Sequence, residues 1–173
     1  MKALLRWLGL VVIAVVALQL FFVARIAAMA VVAPESTAFQ RSEIWTQLAS
    51  KGQVRWRQQW MPYTQISDHL KRAVIASEDD SFVNHDGVDW NAIEKAWERN
   101  AQAEAQIAKA QARAPDKPVR APKIRGGSTI TQQLAKNLLL SGERTLLRKG
   151  QELVLAYALE HLLDKRRILE IYL

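Results

Sequence analysis

Cysteine is absent from this 173-residue chain, so the chain can form neither a disulfide framework nor a thiolate metal site. Histidine is scarce, and the three histidines His69, His85 and His161 have no spacing typical of a metal site. We therefore interpret His69 and His161 as structural residues. The length also sets a limit, because 173 residues minus a membrane anchor leave about one small domain.

Acidic residues are fewer than basic ones, 17 against 24, which gives a formal charge of +7. A basic surface beside a membrane suits anionic lipid headgroups or a phosphorylated substrate. Nucleic acid would also suit this charge, but no recognisable nucleic-acid motif is present. We therefore expect no nucleic-acid partner.

One long apolar run lies near the N-terminus. Residues 7–24 contain a single polar side chain, Gln19, and this length is close to the roughly 20 residues that cross a bilayer. The alternatives are a cleaved signal peptide, for which the run is long, and a buried core helix. Lys2 and Arg6 precede the run and favour a cytoplasmic N-terminus. We predict a signal anchor over residues 1–33 and one domain over residues 34–173.

The rest of the chain is predicted to be helical. Apolar spacing favours short helices over residues 39–50 and 88–100, the second with Trp97 facing inward. A third helix is expected to begin near Ser67. Residues 101–123 are rich in Ala, Gln and Lys before three prolines, which is typical of a helical arm followed by a flexible linker.

The helix that begins near Ser67 carries an apolar stripe that ends in a carboxylate. Ile66, Leu70, Val74 and Glu78 are spaced four apart and share one face. A carboxylate on such a face is expected to be partly desolvated, which suits a group that transfers protons near neutrality. The alternative is that Glu78 turns outward at the helix end and is solvated.

The segment 126–137 begins with two glycines and continues into a helix. Thr129 and Gln132 fit a capping box, so a helix should begin here with free N–H groups at its positive end. That end could hold an anion, with Lys136 as a further charge, although the segment is not a phosphate-binding P-loop. Ordinary helix capping is the alternative.

A third cluster begins at Arg148 and Lys149 and includes Glu152. Arg148 and Glu152 lie four apart, so they share a helix face. They could form an ordinary ion pair, or the cations could bind a phosphate with a second carboxylate beside them. Spacing alone leaves both interpretations open.

Together, these clusters resemble the peptidoglycan glycosyltransferases, which polymerise the lipid-linked precursor of bacterial cell walls. The family pattern E-D-x-x-F-x-x-H-x-G is matched by Glu78, Asp79, Phe82, His85 and Gly87. The pattern G-G-S-T-I-x-Q-Q-x-x-K-N is matched by residues 126–137, and R-K-x-x-E by Arg148, Lys149 and Glu152. These three ordered motifs, with a fourth near the C-terminus, make this resemblance specific.

The fourth pattern, K-x-x-I-L-E-x-Y-L-N, is matched from Lys165 to the last residue and lacks its final Asn. The arm at residues 101–123 also looks longer than the family's usual link between its first two motifs. We therefore expect a truncated chain whose short anchor is most similar to the monofunctional branch of the family.

The resemblance implies an all-α, lysozyme-like domain behind a transmembrane helix. It implies that Glu78 is the general base, and that Glu152 is a second catalytic carboxylate that orients the cations or holds a divalent ion such as Mg²⁺ or Mn²⁺. No cofactor is otherwise required. The substrate-binding residues it implies are Asp79, Phe82, His85, Ser128, Thr129, Gln132, Gln133, Lys136, Asn137, Arg148 and Lys149.

The resemblance also implies a reaction and a location. The growing lipid-linked glycan is transferred to the 4-hydroxyl of lipid II with release of undecaprenyl pyrophosphate. The expected site is the periplasmic face of the bacterial inner membrane, with membrane lipid, penicillin-binding proteins and the division machinery as partners. The alternatives are a lysozyme-like lytic enzyme, a catalytically incomplete membrane-tethered scaffold, and a fragment of a two-domain synthase.

Overall fold

The computed structural model describes residues 1–54, 57–114, 126–140 and 145–173. These residues form seven α-helices, two short 3₁₀ turns and no strand, which confirms the predicted all-α class. The helices are α1 (Lys2–Ala28), α2 (Ala38–Lys51), α3 (Asp68–Glu78), α4 (Trp90–Arg113), α5 (Ile130–Leu139), α6 (Leu146–Leu162) and α7 (Lys165–Tyr172).

Side-chain caps set where most of these helices begin. The predicted capping box at α5 is confirmed, since the Thr129 side chain accepts from the Gln132 N–H while the Gln132 side chain accepts from the Thr129 N–H. Thr37 and Gln40 form a second box at α2. The remaining side-chain caps are Asp89 on α4, Thr145 on α6 and Asp164 on α7.

Helix α1 is long and apolar enough to cross a membrane, and only 6% of its most apolar 18-residue window is buried. Its C-terminal end behaves differently. Phe22, Ile26 and the following Met29 are 9%, 0% and 4% exposed and join the hydrophobic core. The core therefore extends across the predicted domain boundary at residue 33.

Helix α5 lies at the centre of the core. Ile130, Leu134 and Leu138 are almost fully buried, and α5 packs chiefly against α6 and then against α7. Because α5 is covered on several sides, the residues at its start are held rigidly by the core.

Helix α4 corrects two sequence predictions. It continues from Trp90 to Arg113 without interruption, so the predicted helix and the start of the predicted arm are one element. The end of the arm, from residue 115, lies outside the described residues. Trp97 is 76% exposed rather than inward, because α4 packs through the narrow face of Ile93 and Ala96. A Cβ at Gly127 would lie 2.8 Å from Ile93 Cα, so this close approach requires glycine.

Candidate active site

A cavity of about 600 Å³ opens between α2, α5 and the start of α6. Three basic side chains line it, Lys136 from α5 and Arg148 and Lys149 from α6. The other lining residues are Phe39, Ser128, Gln133, Asn137, Leu140, Thr145, Leu146 and Glu152. Glu152 is the single acidic residue among the described lining residues, so the wall is cationic and suits an anionic ligand.

Glu152 organises two of the three cations. Its side chain is 3% exposed and accepts hydrogen bonds from Arg148 Nη1 at 3.1 Å and from Lys149 Nζ. Lys149 Nζ also lies 3.4 Å from Ser128 Oγ. The ion pair of Arg148 with Glu152, one of the two interpretations that the spacing left open, is therefore present, and the same pairing holds the cations at the cavity wall.

One donor of this cluster is left without a partner. Arg148 Nε is buried and, among the described residues, makes no hydrogen bond. A buried N–H without an acceptor is unfavourable, and a ligand oxygen in the cavity could satisfy it. Arg148 can therefore pair with Glu152 through Nη1 and still donate from Nε to an anion in the cavity.

The donor set around Glu152 does not fit a divalent cation. Its two oxygens already face Arg148 and Lys149, and no group of three His, Cys, Asp or Glu side chains in the described part of the chain could hold a metal ion. Mg²⁺ prefers several oxygen ligands in octahedral geometry. A metal role for Glu152 stays a prediction.

Glu78 lies at the C-terminal end of α3 and is exposed. The expected desolvation is therefore wrong. Ile66 is buried and the half-buried Val74 packs against the core, but Leu70 is 49% exposed, so burial along the stripe is discontinuous and does not extend to Glu78. Solvent access keeps this carboxylate open to an incoming hydroxyl group.

Gln133 connects Glu78 to the cationic cavity. Gln133 Nε2 donates to Glu78 Oε2 at 3.0 Å, and Gln133 itself lines the cavity. Its Oε1 accepts from the Tyr172 hydroxyl at 3.0 Å. Burial and then the negative charge of Glu78 raise the pKa of Tyr172, so this hydroxyl stays protonated and remains a donor.

Asp79 occupies the positive end of α5. Its side chain is 3% exposed, and its Oδ2 accepts from the Ile130 N–H at 3.0 Å. His85 Nε2 lies 3.0 Å from each carboxylate oxygen, while His85 Nδ1 accepts from the Gly87 N–H at 3.1 Å, which places the ring proton on Nε2. The sequence indicated that the start of α5 could hold an anion, and the carboxylate of Asp79 occupies that position.

Several predicted substrate-binding side chains lie below the surface. Phe82, Thr129 and Gln132 are at most 2% exposed, and Thr129 Oγ1 donates to the Gly87 carbonyl at 2.6 Å. Gly87 has a φ of +89°, where other residues are strained. These contacts join the first and second motifs. Direct contact of Asp79, Phe82, His85, Thr129 and Gln132 with a substrate stays a prediction.

Sequence reasoning missed Glu160 and Thr131. Glu160 Oε1 accepts from Thr131 Oγ1 at 2.6 Å and from Lys165 Nζ at 2.8 Å, while Lys165 also donates to the His85 carbonyl at 2.6 Å. The available signal was a glutamate two turns after Glu152 in a largely apolar helix. This cluster ties α5, α6 and α7 to the first motif.

Comparisons with known proteins find a matching family and similar sequences. Residues 43–173 match the model of the family described as Transglycosylase. The chain is similar to proteins named biosynthetic peptidoglycan transglycosylase from Herminiimonas arsenicoxydans (44% identity over 100% of this chain and 68% of the relative) and Burkholderia thailandensis (48%, covering 97% and 60%). A third, from Cupriavidus pinatubonensis, is 50% identical over 98% of this chain and 62% of the relative. The chain thus spans between 60% and 68% of these three relatives' lengths.

Proposed function

This chain belongs to the transglycosylase family, and from that membership we propose that it is a peptidoglycan glycan-strand polymerase. Its substrates are lipid II and the growing lipid-linked glycan. One observation carries the proposal: Lys136, Arg148 and Lys149 surround a cavity whose lining residue Gln133 donates to Glu78. A candidate base therefore stands beside a candidate binding site for a diphosphate.

In the proposed reaction, Glu78 removes the proton from the 4-hydroxyl of the acceptor's N-acetylglucosamine. A neutral alcohol is a poor nucleophile, so a base within hydrogen-bond reach of that proton assists the attack. The resulting sugar oxygen attacks the anomeric carbon of the lipid-linked chain with inversion. The bond from that carbon to the diphosphate oxygen breaks, and undecaprenyl pyrophosphate leaves.

The leaving diphosphate gains negative charge as this bond breaks. In this proposal Lys136, Arg148 and Lys149, which line the cavity, stabilise that charge, because cations that are already in position do so without reorganising. The unpartnered Arg148 Nε supplies an additional donor. Glu152 orients two of these cations and takes no part in proton transfer.

The proposed location is the bacterial inner membrane, crossed once by α1, with the site on the periplasmic side. The length and composition of α1 and the basic residues Lys2 and Arg6 at its N-terminal end support this orientation. Both substrates carry lipid tails, so confinement to one surface raises their effective concentration. Membrane lipid, penicillin-binding proteins and the division machinery are the proposed partners.

The test is incubation of the detergent-solubilised chain with labelled lipid II, scoring glycan polymer by gel. The proposal expects polymer from the wild-type chain, polymer from a Glu98→Gln control in the exposed part of α4, and none from Glu78→Gln. Binding of lipid II without turnover would instead indicate a scaffold. Release of fragments from purified glycan would indicate a lytic enzyme.

A further inference from the structure

Gln19 is the single polar residue in the apolar run of α1, and it is not left unpaired. Its Nε2 donates to Gln151 Oε1 at 2.9 Å, and Gln151 Nε2 donates back to Gln19 Oε1 at 3.0 Å. Both side chains are half-buried. The two amides therefore satisfy each other across 132 positions of sequence.

The same face of α1 enters the domain core. Gln19, Phe22, Ile26 and Met29 are spaced three or four apart, which places them on one side of the helix, and the last three are buried. Helix α6 packs on this side. The C-terminal end of α1 is therefore packed into the domain and is not a flexible linker.

The charges on α1 indicate how deep the amide pair lies. Arg6 and Arg25 bracket an uncharged stretch that, at about 1.5 Å per residue, is roughly 28 Å long and matches a hydrocarbon layer of about 30 Å. With the two arginines at opposite headgroup levels, Gln19 lies roughly 9 Å below Arg25. Gln151 must reach the same depth, because the two amides are in direct contact.

The start of α6 exposes apolar side chains, as a segment within the hydrocarbon layer requires. Leu146 and Leu147 are 92% and 89% exposed, and Leu147 and Arg148 precede Gln151 by four and three positions, on the same face. A side chain that contacts α1 inside the hydrocarbon is therefore one helical turn from a cation of the cavity.

We propose that the Gln19–Gln151 pair is a positioning clamp that fixes the depth of α6 in the bilayer. By doing so it holds Arg148 and Lys149 level with the diphosphate of a lipid-linked substrate. The height of the substrate rests on the proposed function, whereas the depth of α6 rests only on the proposed crossing of the membrane by α1. In hydrocarbon an unpaired amide has no water to bond, so the pair is favoured over either amide alone.

The first experiment measures depth and needs no activity. In the cysteine-free chain, Leu147→Cys carries a fluorophore, and the chain is placed in vesicles whose lipids bear nitroxide quenchers at the headgroup or along the acyl chain. The label is expected to be quenched most by the acyl-chain nitroxide, and Gln19→Leu is expected to shift it towards the headgroup. Phe21→Leu, on the opposite and exposed face of α1, is the matched control and should leave the label in place. An unchanged depth in Gln19→Leu would overturn the clamp.

The second experiment measures KM and kcat for lipid II in vesicles and in detergent micelles. Gln19→Leu and Gln151→Leu are each expected to raise KM in vesicles roughly threefold to tenfold, in line with the strength of interhelical side-chain hydrogen bonds in membranes. The double variant should be no worse than either single one, and kcat should change little. In micelles, which impose no fixed depth, KM should stay near the wild-type value.

Equal impairment in vesicles and micelles would mean that the pair acts only through the fold, and would overturn the clamp. A normal KM for both single variants in vesicles would overturn its role in substrate positioning. If the wild-type chain makes no polymer while the label still shifts with Gln19→Leu, the proposed function fails and the clamp stands.

Discussion

The two carboxylates of the candidate site, Glu78 and Glu152, have opposite surroundings. Glu78 is exposed and receives a single described hydrogen bond, from Gln133. Glu152 is buried and paired with Arg148 and Lys149. A carboxylate that must accept a proton from a substrate has to be reachable, whereas one that fixes cations has to be held. The environment of each residue thus favours a different task for the same chemical group.

The sharpest test of this contrast is Glu78→Gln. The amide keeps the size of the side chain but cannot take up a proton, so glycan synthesis should fall by roughly 10²- to 10⁴-fold. The thermal unfolding temperature should stay the same, because Glu78 is exposed. Polymerisation assays and circular dichroism on the same sample measure both. Near-normal polymer synthesis would exclude Glu78 as the base.

Glu152→Gln should affect stability as well as activity. Removing one partner of a buried ion pair costs about 3 to 5 kcal/mol, and the partial exposure of Lys149 reduces the expected loss to about 2 kcal/mol. Denaturant titration in detergent gives the free energy of unfolding. An unchanged unfolding free energy would show that the pair with Arg148 does not hold the start of α6.

Lys136→Ala should reduce activity without reducing stability. Lys136 is exposed and, among the described residues, forms no ion pair, so its charge is available to a ligand. Loss of one charged contact should weaken donor binding and turnover together by roughly tenfold to a hundredfold. Lys95→Ala on the exposed side of α4 is the control for lost charge. Equal activity of the two variants would show that Lys136 does not contribute to donor binding or turnover.

Tyr172→Phe should have the smallest effect, because it removes only the hydrogen bond that the Tyr172 hydroxyl donates to Gln133. We expect activity to fall about twofold to fivefold, which corresponds to one neutral hydrogen bond. Activity equal to wild type would show that Gln133 needs no second contact to hold Glu78.

The raised pKa of Tyr172 also gives this variant a pH signature. The neutral hydroxyl is favoured in the folded state, so its contribution to stability is complete below the unfolded value of about 10 and is lost as pH rises through the folded value. The stability difference between wild type and Tyr172→Phe should therefore be constant below about pH 10 and shrink above it. A difference that shrinks below that pH would assign the effect to another group.

Local patterns in the sequence predicted local structure well. The Thr129–Gln132 box is confirmed and the Arg148–Glu152 pair is present, because both form within one turn of a helix. The stripe that ends at Glu78 was predicted wrongly, since periodicity shows which residues share a face but not where neighbouring elements stop covering it. The exposure of Trp97 has the same cause.

Contacts between distant segments were beyond such patterns. Nothing near Asp79 in sequence reveals that its carboxylate caps Ile130, 51 positions later. Likewise, the Gln19–Gln151 pair requires two segments to meet that have no local signal for each other. The resemblance to a family assigned roles to motif residues, but it did not separate side chains that line the cavity from those that hold the loops in place.

The bond from Lys165 to the His85 carbonyl has a consequence for synthesis on the ribosome. Chains emerge N-terminus first at about 5 to 20 residues per second, so α1 is made well before α7. The first motif therefore lacks Lys165 until nearly the whole of this sequence has emerged. Under the proposed topology, α1 therefore enters the membrane before Lys165 is available to bond the first motif.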